Sequence, residues 1–116
     1  MSFLHRAFRV LAWIFLAGIV AQVFIAGLAL FTDSARWSWH RHLAVVLAVI
    51  PLLMLPLIFR QRRTLWLAVL AFALLNVQGA TIRIGGLAGA FHPVTALLLF
   101  WIALTLTREP RAATSL

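Results

Sequence analysis

The stretch Val10–Phe31, VLAWIFLAGIVAQVFIAGLALF, decides the fold class. Only Gln22 interrupts its apolar run. As a helix rising 1.5 Å per residue it extends about 33 Å, enough to cross a hydrocarbon core of about 30 Å. A basic head, Met1–Arg9, precedes it, which is also the plan of a signal peptide, and Gly27-Leu28-Ala29 offers small residues for cleavage. A signal h-region covers only about 7–15 residues, so the expectation is an uncleaved first span.

The rest of the chain has the same character. Of its 116 residues 65% are hydrophobic and 10% charged, with a mean hydropathy of +1.07. Soluble domains carry about 25% charged residues. This chain cannot cover a soluble surface, and a membrane protein is the class that remains. Its net charge of +8 comes wholly from arginine, for there is no lysine. The arginines sit in short clusters between apolar runs, so they read as topology signals and not as a nucleic-acid surface. The absence of cysteine excludes disulfides, iron–sulfur clusters and thiolate ligation.

Outward from the first span, Thr32–Trp39 is a polar connection. Further spans are expected at about 40–59, 64–82 and 92–107, giving one four-span domain over 1–116. Pro51 and Pro56 lie inside the second span and should bend it. Arg60-Gln61-Arg62-Arg63 reads as a tight basic turn, and Gly85–Gly89 as part of a glycine-rich loop that either covers a site or only connects helices. Pro93 reads as the opening of the fourth helix. Arg6, Arg9, Arg60, Arg62, Arg63, Arg108 and Arg111 fall on one side, and Arg36, Arg41 and Arg83 on the other. The positive-inside rule then puts both termini in the cytoplasm. The expected fold is an all-α, antiparallel four-helix membrane bundle.

Polar groups inside spans usually face the bundle interior. Gln22, His40, Gln78 and His92 are the candidates here. Helical neighbours three and four apart choose between His40 and His42. Below His40 lie Leu43, Ala44, Leu47 and Ala48; below His42 lie Val45, Val46 and Val49. His40 is expected inward and His42 towards lipid. His92 shares a face with Thr95, Ala96, Leu99 and Ala103, and Gln22 is flanked by Gly18 and Ala26 in a small-xxx-small pattern. His5 is expected among headgroups.

Two imidazoles from different helices can fill both axial positions of a haem b iron. His40 and His92 are the expected ligands, with Gln22 or Gln78 hydrogen-bonding a ligand ring and Arg36, Arg41 or Arg83 pairing propionates. Two histidines alone are a thin set for zinc or copper. The rival reading is a cofactor-free accessory subunit whose histidines and glutamines bridge helices. A transporter fragment is a third. No nucleotide loop and no serine or carboxylate-pair catalytic set is present.

Gln22–Leu28, Trp39-His40-Arg41-His42-Leu43, Gln78 and His92–Leu98 resemble a family of small, uncharacterised four-span bacterial membrane proteins. The family pattern has glycine where Ala44 stands and asparagine where Thr95 stands. The resemblance implies a bacterial inner-membrane location and no established activity. Histidines at the ends of packed helices are also distantly similar in architecture to membrane b-type cytochromes. The expectation is a protein embedded in the lipid bilayer, serving electron transfer or redox sensing beside a membrane redox partner or as a homo-oligomer.

Overall fold

The computed structural model describes residues 2–109. Arg111, counted above for topology, lies outside the described residues with the rest of the polar tail. Four helices account for nearly all of the rest: α1 (Phe3–Phe31), α2 (Trp37–Ile58), α3 (Arg62–Ile84) and α4 (Gly86–Arg108). A single 3-10 turn, Ser34–Arg36, precedes α2. Each helix is long and apolar enough to cross a membrane. Each packs against the next, and α4 returns to α1, which closes a four-helix bundle.

The seam follows helical spacing. Phe8, Ala12, Phe15 and Ile19 of α1 meet Leu47, Ile50, Met54 and Ile58 of α2 and Leu99, Ile102 and Leu106 of α4, while α3 contributes Ala68 and Ala71. Residues four and three apart share a face, so these positions form continuous stripes. The opposite faces expose large apolar side chains, among them Trp13, Val45, Leu97 and Trp101. Such faces need a hydrocarbon solvent, not water.

Local chemistry sets the helix ends. Ser2 caps α1 by accepting from the His5 N–H (3.2 Å). Helix α1 thus starts at Phe3 and takes in most of the basic head. Asp33 accepts from the Ala35 N–H (2.9 Å) and opens the 3-10 turn. Pro51 and Pro56 both lie inside α2.

The glycine-rich stretch departs from expectation. It is not a loop: α3 and α4 are separated by Gly85 alone, whose φ of 73° and ψ of −166° suit glycine almost exclusively. Helix α4 begins at Gly86, so Pro93 lies within it and does not open it. Glycine's low helix propensity in water misleads here, because in hydrocarbon an unpaired backbone costs more than the glycine. His5 is also placed differently. It is buried (8% exposed) within the bundle, at the end opposite the other histidines, and not solvated.

Candidate functional site

Gln22 of α1, His40 of α2, Gln78 of α3 and His92 of α4 meet at one end of the bundle. The His40 Nδ1 lies 3.1 Å from the Gln22 carbonyl oxygen. The His92 Nδ1 lies 3.2 Å from the Gln78 carbonyl oxygen. A carbonyl can only accept, so each Nδ1 carries the proton and donates it. In the neutral ring that leaves Nε2 with a bare lone pair. Among the described residues neither Nε2 makes a hydrogen bond.

The two ring centroids are 6.3 Å apart, with the planes inclined at 53°. The two imidazoles are thus close neighbours across the bundle end. The Nδ1–carbonyl tether is also the usual support of a ligand imidazole, since it fixes tautomer and ring orientation.

Both glutamines bond a histidine ring, as the sequence led one to expect of at least one of them. It is their main-chain carbonyls, not their amides, that hold the rings. Helical carbonyls have a second lone pair available beyond the intrahelical bond, and this is where the imidazoles attach. The side-chain Oε1 atoms of Gln22 and Gln78 are both buried without a hydrogen-bond partner. Each of these amides also carries an NH2 donor, so the glutamines bring both kinds of polar group into the bundle.

The walls are partly aromatic. Trp37 meets His40 edge-on at 5.5 Å and 88°. The Arg36 guanidinium lies 4.0 Å over the exposed Trp39 ring. Arg83 donates through Nε to the Gly79 carbonyl (3.3 Å). Thr95 donates to the carbonyls of Phe91 and His92 (both 3.1 Å). His42 is exposed, while His40 and His92 are half-buried. Below the site Gly18 faces Leu47 so closely that a Cβ there would strike the leucine side chain. The gap between α1 and α2 is therefore closed at that level.

The donor set favours some groups over others. Among the described residues no cluster of three or more His, Cys, Asp or Glu side chains is placed to hold a metal ion. A metal whose other positions are filled by its own macrocycle needs only two protein ligands, which is what a haem iron requires. The residues present fit that group.

A second polar cluster sits at the opposite end and was not anticipated. Thr64 donates to Glu109 (2.8 Å), and Arg63 pairs with the same carboxylate at 3.5 Å. Sequence distance hides this contact, because the two residues lie at the start of α3 and just past α4.

The family model that matches the chain is described as a family of unknown function (DUF6220), and the match spans residues 22–85. That stretch is more than half of the chain. The chain belongs to this family. The DUF6220 match contains Gln22, His40 and Gln78 and ends before His92. Neither the curated proteins nor the solved structures contain a match.

Proposed function

We propose that this DUF6220 protein holds a haem b near the outer membrane face through His40 and His92, for electron transfer or redox sensing. The observation that carries the reading is the paired geometry: two rings 6.3 Å apart, each tethered through Nδ1 to a backbone carbonyl. His40 and His92 would hold the group, which would supply one-electron chemistry when bound. The chain's own part is to orient two Nε2 atoms, to surround them with apolar helix and to keep them at a bundle end. Arg41 and Arg83 at that end are available to propionates.

The same reading places the chain in a bacterial inner membrane as an antiparallel bundle with both termini cytoplasmic. Its support is the arginine distribution, with Arg6, Arg9, Arg60, Arg62, Arg63 and Arg108 at one end and Arg36, Arg41 and Arg83 at the other. The rival is a cofactor-free accessory subunit. One observation favours it: each Nδ1–carbonyl bond also joins two neighbouring helices, which alone gives the histidines a packing role.

The test is an absorption spectrum of the detergent-purified protein after haem-supplemented expression, oxidised and then dithionite-reduced. A Soret band that shifts on reduction is expected. His40→Ala and His92→Ala should each disturb it, and His42→Ala should not. No Soret band, with both histidine variants folding normally, sinks the haem reading and leaves the accessory subunit.

A further inference from the structure

We infer that the arginine-rich end carries a binding site for the phosphate headgroup of an anionic phospholipid, separate from the histidine pair. A cavity of about 680 Å³ opens there. Its apolar wall includes Leu4 and Phe8 of α1 and Leu57 of α2, and its rim carries Arg60, Arg62 and Arg63. Specific small-molecule sites fall in the range of about 300–1,000 Å³, so the space suits a headgroup with the first part of its chains.

Charge accounting at this end selects the ligand. The chain has two acids, and only Glu109 lies here. Its carboxylate is already engaged by the Thr64 hydroxyl and by Arg63. Arg62 has no ion pair among the described residues, and Arg60 lies only over the neighbouring Phe59 ring at 5.4 Å. Two guanidiniums of the cavity lining thus have no acidic partner among the described residues. The start of α3 adds donors: Gln61 provides no side-chain cap, so the first N–H groups of that helix remain available.

Guanidinium recognises phosphate through paired hydrogen bonds. A soluble phosphate would leave the apolar wall unused, whereas a phospholipid occupies both parts. Glu109 on the cavity floor repels an anion from the interior. The phosphate therefore sits at the rim between Arg60 and Arg62, and the acyl chains run past Leu57 and Phe8. The unpaired Arg60 and Arg62 at the rim favour the net-negative phosphatidylglycerol over the zwitterionic phosphatidylcholine.

Native mass spectrometry of the full chain, released from detergent with equimolar phosphatidylglycerol, phosphatidylethanolamine and phosphatidylcholine, tests this. Phosphatidylglycerol adducts should dominate. The double variant Arg60→Gln/Arg62→Gln should lower their retention on the order of tenfold. Leu57→Trp fills the apolar wall with the arginines intact and should lower it as well. Arg41→Gln, at the histidine end, should not. If the double variant inserts poorly, Arg60→Lys/Arg62→Lys keeps the charge and should still weaken retention through loss of the paired contacts. Equal retention of the three lipids, or a preference for phosphatidylethanolamine, overturns the inference. So does full retention in Leu57→Trp, which would mark a general basic surface, or displacement by millimolar inorganic phosphate, which would mark a site for the free anion.

Discussion

Alanine at Gly18 and at Gly27 makes the sharpest test of the packing beneath the histidine pair. Both glycines lie in α1, and neither has a positive φ. A Cβ at Gly27 meets nothing within 4 Å, whereas a Cβ at Gly18 strikes Leu47, which is only 1% exposed. Helix preference gains about 0.5–1 kcal/mol from glycine to alanine at either site. That gain cancels when the two variants are compared. What remains is the overpacking cost at Gly18, about 1–3 kcal/mol. Thermal unfolding in one detergent should therefore place Gly18→Ala several degrees below Gly27→Ala. Combining Gly18→Ala with Leu47→Ala should cost less than the two separate losses, because the second change removes the obstacle. Coupling between contacting residues is about 0.5–3 kcal/mol. Gly18→Ala also pushes α1 away from α2 and should loosen the bond from His40 to the Gln22 carbonyl. Coincident melting of Gly18→Ala and Gly27→Ala would refute the close approach of the two helices.

Other substitutions probe single features. Gly85→Ala forces a side chain into a backbone region suited to glycine and should cost about 1–3 kcal/mol in the same unfolding assay. Thr64→Val removes the hydroxyl that donates to the buried Glu109 carboxylate and should cost about 1–3 kcal/mol; restoration by Thr64→Ser would tie the loss to the hydroxyl. If the bond to Glu109 matters to packing alone, Thr64→Val should leave the spectrum of the histidine site unchanged, since the two lie at opposite ends.

Much of the fold is legible because hydrocarbon makes simple demands. A run such as Val10–Phe31 has one stable solution in a bilayer, a helix, and three more apolar stretches follow it. Side-chain spacing also separates His40 from His42: Ala44, Leu47 and Ala48 below one, Val45, Val46 and Val49 below the other. In the structure His40 packs on Trp37 and His92, and His42 is exposed. The misreadings have separate physical causes. The stretch from Gly85 to Ala90 carries turn residues, but backbone satisfaction in a membrane outweighs their propensity, and only Gly85 breaks the helix. The tethers to His40 and His92 come from main-chain carbonyls, which every residue possesses, so no residue type marks them. One signal was available: a glutamine precedes a histidine in each half, Gln22 before His40 and Gln78 before His92. Its meaning becomes visible only when both pairs are seen to make the same bond. The Thr64–Glu109 contact and the burial of His5 depend on tertiary packing, which helix periodicity does not report.

Each imidazole is registered to its own pair of helices, His40 to α1 and His92 to α3. Neither tether crosses between the two halves of the bundle. The 6.3 Å gap is consequently set by how one half seats against the other. A small slide or rotation at that seam would widen or narrow the gap while leaving both tethers intact. The two rings behave as the jaws of a caliper whose frame is the bundle itself, and its setting reads out the docking of the halves.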